Sequence, residues 1–300
     1  MKALRRTAIH LVALIALQGL WLETSHSQSP GSPGISEEIS KQEAIYQSRG
    51  QQVPDGYTTD RGLSDYVRAL PSAFDRTLAN LGPNDRWLDI GAGEGRAILD
   101  YYSTNYDLTH PEGQERRGSK AQTVAISIED RRTPLWNQTA ASLGANQLRY
   151  SSSRRLREYS LEELGRFQLI TDVIGGFSYT TNLSLFMEKV LSFLEVSGSF
   201  HTLLQDVQWE GGSNRPYYAG APFLTEIANT AGSEVKVCSW LKSITCVKVS
   251  CESKADWRPP IEAFHVQKVC NDVTVPPLEP LHYQAGTPPE RRFQLVNRAE

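Results

Sequence analysis

From Leu63 the chain takes on a helical rhythm. Leu63, Tyr66, Val67, Leu70, Phe74, Leu78 and Leu81 recur three and four residues apart and predict one amphipathic helix, stopped by Gly82-Pro83. Short apolar runs then alternate with amphipathic segments. Strands are expected at Arg86–Ile90, Thr123–Ile128, Gln147–Ser151, Phe167–Val173 and Ser199–Asp206. Helices are expected at Gly95–Tyr102, Thr133–Leu143, Leu161–Leu164 and Leu183–Leu194, with another at Pro222–Ala231 after the fifth strand. Strands separated by helices imply parallel pairing and a sheet covered on both faces. The stretch EVKVCSWLKSITCVKVSC breaks the alternation with two β-rich segments close together, predicting an antiparallel hairpin that finishes the sheet. Residues 252–300 carry the pairs Pro259-Pro260, Pro276-Pro277 and Pro288-Pro289 and predict an extended arm. No internal repeat is present.

The N-terminus adds a question of location. Lys2, Arg5 and Arg6 precede an apolar run from Ala8 to Leu22, and TSHSQSPGSPG follows. This is the three-part pattern of a secretory signal peptide, with Ser25-His26-Ser27 as a small-x-small site before Gln28. The run of about fifteen residues is shorter than the roughly twenty that span a bilayer. The expected organisation is a signal peptide at 1–27, a linker at 28–60, one α/β domain at 61–251 and a Pro-rich extension at 252–300. A cleaved signal would deliver the chain to the periplasm or the medium; an uncleaved one would anchor it to the membrane.

Composition narrows the partners. With 22% charged residues and a net charge of −3, the chain lacks the basic field that a nucleic-acid partner requires. Cys238, Cys246, Cys251 and Cys270 form no C-x-x-C pair, which speaks against zinc or redox chemistry. In an exported chain they permit two disulfides, with connectivity open; packing as small buried hydrophobes is the alternative.

The chemistry concentrates at RWLDIGAGEGRAIL, residues 86–99. An apolar strand meets Gly91, Gly93 and Gly95 where a helix begins, with Asp89 before them and Glu94 among them. Residues without Cβ let the chain turn sharply and bring backbone amides to a ligand, and a helix N-terminus favours negative charge. The dinucleotide fingerprint G-x-G-x-x-G would need glycine at 96, which is Arg96. The spacing is G-x-G-x-G, and two acids would repel a pyrophosphate but suit a cation.

WLDIGAGEG resembles the first motif of the class I S-adenosylmethionine-dependent methyltransferases, and the resemblance extends over about residues 63–250. TVAISIED looks like that family's second strand with its ribose-binding acid. FQLITDVIGGFSYTTN looks like the fourth strand and its substrate-lining loop, and LSFLEVSGSFHTLL like the helix, glycine turn and fifth strand. The resemblance implies a Rossmann-like, mostly parallel seven-stranded sheet with helices on both faces, binding S-adenosyl-L-methionine. The cofactor loop would be Gly91, Ala92, Gly93, Glu94 and Gly95, with Asp89 near the methionine ammonium. Glu129, with Asp130 beside it, would take the ribose hydroxyls. The chain has YSSSRRLREYS where relatives carry an acid near the adenine, so Ser152 or a backbone group would have to serve there. Asp172 would line the cofactor or substrate, or only tie its loop together through hydrogen bonds, and Asp172, Tyr179 or His201 would take a proton from a small-molecule or protein acceptor. His201, within an apolar strand, is also a candidate core residue. Phe177 and Tyr179 suit pocket walls or plain packing. Trp209, Tyr217 and Tyr218 in WEGGSNRPYYAG suit a lid. Asp172 lacks the following N/D-P-P-Y/F of amino-methylating nucleic-acid enzymes. The alternative function is an exported, non-catalytic binding protein on the same fold.

Overall fold

The computed structural model describes residues 60–103, 121–180, 182–205, 226–257 and 261–279, with the strand backbone at 281–284 and 292–295. The expected signal peptide, linker and lid lie outside these residues, as do residues 104–120.

The predicted first helix is two. Helix α1 (Leu63–Ala69) ends where Leu70 turns to extended backbone with ψ 167°, and α2 (Ala73–Ala79) restarts after Pro71. Proline disfavours helical backbone in the residue before it, so the apolar rhythm continues while the helix does not. Both pieces keep their buried face, with Leu63, Leu70 and Phe74 fully covered.

Next come β1 (Arg86–Ile90), α3 (Arg96–Tyr102), β2 (Gln122–Ile126), α4 (Pro134–Leu143) and β3 (Leu148–Ser151). The chain continues through α5 (Leu161–Leu164), β4 (Phe167–Asp172), α6 (Gly176–Tyr179), α7 (Leu183–Phe193) and β5 (Leu194–Gln205). The helix starts carry their own signals. Thr133 accepts from Trp136 N–H ahead of Pro134, Ser160 and Glu163 form a capping box, and Asn182 accepts from Leu185 N–H.

Two expectations after β5 are corrected. Glu226–Ala228, predicted helical, is strand β6, paired antiparallel with β7 (Glu234–Lys236). The turn between them is closed by Asn229, whose side-chain oxygen accepts from the amides of Ala231 and Ser233, and Gly232 adopts φ +76°. The predicted hairpin lies further along. CSWLKS belongs to helix α8 (Val237–Ser243), because Val237, Trp240, Leu241 and Ile244 share a helical face that buries completely or nearly so. The hairpin is β8 (Val247–Lys254) against β9 (Ile261–Lys268), so the sheet runs past 251 into the Pro-rich region. Strands β10 (Leu281–Gln284) and β11 (Arg292–Leu295) form a separate pair.

The main sheet has the order β3-β2-β1-β4-β5-β9-β8. The first five strands are parallel and β9 is antiparallel to both neighbours. This is the Rossmann-like sheet of the methyltransferase fold, with the closing hairpin inserting its second strand beside β5. β1 and β4 are covered on both faces, and their burial is nearly unbroken along the strand, with Asp89, Thr171 and Asp172 covered as well as the apolar positions. One face packs Phe167, Phe200 and Phe264 against Phe177, Met187, Val190 and Trp240; the other packs Trp87, Leu169 and Leu203 against Leu63, Phe74 and Leu78. Each such side chain contributes about 1.5–3 kcal/mol of burial. Two disulfides, Cys238–Cys251 and Cys246–Cys270, tie α8 to β8 and the start of β8 to the end of β9. Among the described residues no helix is long and apolar enough to cross a membrane.

Candidate functional site

β1 is flanked by β2 and β4, so the chain leaves it towards one edge of the sheet and later returns on its other side. The crevice at the carboxyl ends of strands at such a switch point is where open α/β sheets bind ligands. Residues 91–95 form that corner.

Gly91, Gly93 and Gly95 all have left-handed backbone, with φ of +71°, +56° and +71°. Gly91 needs its lack of side chain twice over: a Cβ there would lie 2.8 Å from the Cα of Gly175 in the loop after β4. At Gly95 a Cβ would run into the indole of Trp136. The amides of Gly91 and Ala92 both donate to the Ile126 carbonyl at the end of β2, at 2.9 and 3.1 Å. Tyr150 on β3 donates its phenol to the Gly93 carbonyl at 2.6 Å and to the Glu129 carbonyl at 3.2 Å. The loop is thus tied to β2 and β3 before any ligand arrives. Gly91 is exposed, Gly93 and Glu94 are half-buried, and Ala92 is buried.

Asp89 lies one layer down, with no exposed surface. Tyr66 of α1 donates to both of its oxygens, at 3.1 and 2.9 Å, and Thr171 of β4 donates to Oδ1 at 2.7 Å. Trp87 in turn donates its indole N–H to Thr171 Oγ1 at 2.7 Å. Burial pushes the Asp89 carboxyl up to about 7, against the pull of the Thr171 and Tyr66 hydrogen bonds. Burial also raises the Tyr66 phenol well above its ordinary range, assisted by Asp89, which keeps it a donor.

Asp172 ends β4, in register with Ile90, and is also fully buried. Its oxygens accept the amides of Gly175 and Phe177 at 2.9 Å each, which fixes the loop leading into α6. Burial raises this carboxyl to about 7 as well, opposed by those amides and reinforced by Asp89.

The ribose candidates sit differently. Ser127 follows β2 directly, its amide donating to the Ser151 carbonyl. Glu129 comes two residues later, and its carboxylate is paired with Arg131, while Asp130 is paired with Arg132 at 2.6 Å. Ser152 follows β3 and is half-buried. His201 is in the core. It is fully covered, hydrogen-bonded to Thr77 at 3.3 Å, and stacked on His265. Phe177 is buried among Phe186, Phe200 and Phe264. Tyr179 closes α6, and its side chain, like Trp209, Tyr217 and Tyr218, lies outside the described residues.

The structure therefore brings Asp89, the glycine loop and Asp172 together, places Glu129 beside the loop through Tyr150, and sets His201 apart under α2. It adds Tyr66, Thr171, Tyr150 and Trp136. Tyr66 is visible in sequence only as one more apolar position on a helix, and Thr171 only as a break in an apolar strand.

No protein-family model matches the chain, and no curated protein matches its sequence. Among solved structures, similarity is found to the N-methyltransferase NodS from Bradyrhizobium japonicum, at 10% identity and TM-score 0.39 over 66% of this chain and 94% of that one. An rRNA methylase from Streptococcus thermophilus is similar at 11% identity and TM-score 0.39, over 65% and 94%. The glycopeptide N-methyltransferase MtfA, complexed with S-adenosyl-L-homocysteine, is similar at 13% identity and TM-score 0.40, over 66% and 88%.

Proposed function

We propose that the chain is an S-adenosylmethionine-dependent methyltransferase, with the cofactor at the 91–95 corner. The reading rests on one observation: three left-handed glycines turn at the switch point of a β3-β2-β1-β4-β5 sheet, immediately above a buried acid. The spacing and the two acids suit a cationic ligand better than a pyrophosphate. The cofactor brings an activated methyl on a sulfonium. The chain's own task is then alignment and exclusion of water. The glycine corner would support the methionine moiety, Glu129 would accept the ribose hydroxyls once released from Arg131, and Ser152 or a backbone group would meet the adenine. Asp172 holds the acceptor-side loop through its amide bonds. The acceptor is a small molecule or a protein.

The two disulfides, as marks of export from the cytoplasm where the cofactor is made, favour a second reading, an exported binding protein that has kept the fold without the transfer. Calorimetry of residues 28–300 with S-adenosylmethionine, S-adenosylhomocysteine and NAD separates the cofactors. A folded sample that binds neither adenosyl ligand sinks the first reading. Binding without methyl transfer to any acceptor offered supports the second.

We also propose export. Two disulfides support it, because such bonds persist in oxidising compartments. Mass spectrometry of the mature N-terminus should find Gln28; an intact Met1 on a cytoplasmic protein would refute cleavage and export.

A further inference from the structure

The hydroxyl chemistry around Asp89 has a fixed direction. An indole N–H can only donate, so Trp87 occupies Thr171 Oγ1 as acceptor and leaves the Thr171 proton for Asp89. The Tyr66 phenol, sealed beside the carboxylate, spans both oxygens. Three donor contacts thus converge on a carboxylate that water cannot reach, and one donor comes from outside the sheet. Helix α1, which carries Tyr66, is docked separately: Asp100 of α3 accepts the Leu63 amide at 3.0 Å and pairs with Arg96. The helix is therefore fastened to the element that the glycine corner opens.

We propose that Tyr66 is a positioning residue for the cofactor, its phenol acting with the Thr171 hydroxyl to keep the buried Asp89 carboxylate charged and oriented beneath the glycine loop. This rests on the methyltransferase reading. A hydrogen-bonded anion beneath the loop stabilises a cationic ligand above it, and an unsupported carboxyl in the same place takes up a proton and loses that effect. Charged and titratable groups around Asp89 are Tyr66 from α1, Asp172 from the end of β4, and Arg61 ahead of α1, which acts on Tyr66. From β2 the in-register neighbour is Ala125, which carries no charge.

The test is calorimetry with S-adenosylhomocysteine on the full chain at pH 6, 7 and 8.5, for wild type, Tyr66→Phe, Thr171→Val and Asp89→Asn. Wild-type affinity should rise as pH passes about 7, where Asp89 ionises. Tyr66→Phe should move that rise upward, giving roughly tenfold weaker binding at pH 7 and a deficit under about threefold at pH 8.5, the scale of one hydrogen bond to a charged group. Asp89→Asn should bind weakly and lose the rise that Asp89 supplies, keeping only what Asp172 contributes. Should Tyr66→Phe fail to fold, Thr171→Val carries the same expectation. A deficit equal at every pH, or an unshifted profile in both variants, overturns the inference. Wild type that binds at no pH overturns the methyltransferase reading itself.

Discussion

The imidazoles of His201 and His265 lie face to face, 4.4 Å between centroids and 3° from parallel, on adjacent antiparallel strands. Phe74 meets His201 edge-on, Thr77 bonds it, and Ser199 bonds His265. Burial, and then His265, hold the His201 pKa well below 6.5; burial lowers His265 too, against a nearby Glu252. A lowered histidine stabilises the fold above its unfolded value, and that contribution is lost as pH falls below about 6.5. Between pH 7 and pH 5 the melting temperature of wild type should therefore fall further than that of His201→Leu. Parallel curves for the two proteins would contradict this.

Asp172 has the opposite sign. Its carboxyl is raised from 3.8 to about 7, so the folded state keeps a proton that the unfolded chain releases between about pH 4 and pH 7. Wild-type stability from this group is full below about pH 4 and declines across that window. Asp172→Asn, with one acceptor oxygen for two backbone donors, should be less stable at pH 4. The gap should narrow by roughly 1 kcal/mol or more towards pH 7. Chemical denaturation at both values measures it.

Gly91→Ala combines two penalties. Left-handed backbone costs an alanine about 1–2 kcal/mol, and the new methyl meets the Gly175 backbone, which cannot swing aside. Gly232→Ala, also at positive φ but with nothing within 4 Å, should show the first penalty alone. Gly91→Ala should thus melt several degrees below Gly232→Ala and lose S-adenosylhomocysteine binding. Equal melting temperatures would show that the loop yields to the methyl.

The Arg131–Glu129 pair should compete with the cofactor. Both side chains are partly exposed, 18% and 26%, and such pairs are worth about 0–1 kcal/mol. Arg131→Ala is therefore expected to tighten S-adenosylhomocysteine binding by up to about fivefold, whereas Glu129→Gln should weaken it. An unchanged Kd in both variants would remove Glu129 from the site.

Peptide mapping without reductant should recover the Cys238–Cys251 and Cys246–Cys270 linkages and, after unfolding, no thiol open to alkylation. Reduction should lower stability by about 2–4 kcal/mol per bridge, for loops of 13 and 24 residues. Swapped partners would overturn the pairing.

Periodicity made the parallel half of the sheet legible, because β1 and β4 carry short apolar runs, Trp87-Leu88 and Leu169-Ile170, bounded by turns that glycine and proline announce. It overran at Leu70, where Pro71 breaks the helix but not the apolar rhythm. It misplaced the hairpin because the β-rich residues flanking CSWLKS, EVKV and ITCVKV, mask its helical face, and packing of Trp240 and Leu241 decides for the helix. The glycine corner showed in the sequence because its spacing is local. The support of Asp89 did not, since Tyr66 and Thr171 stand 23 and 82 residues away along the chain. No spacing rule reaches that far.

Both covalent bridges close loops inside residues 238–270, so neither crosses the seam between β5 and β9. The module of α8, β8 and β9 is stapled to itself and joined to the other five strands of the main sheet without a covalent bond, through the seven-residue β5–β9 ladder, side-chain contacts such as the His201–His265 stack, and the packing of Phe200 and Phe264. Oxidation can make that module rigid without deciding whether it is docked.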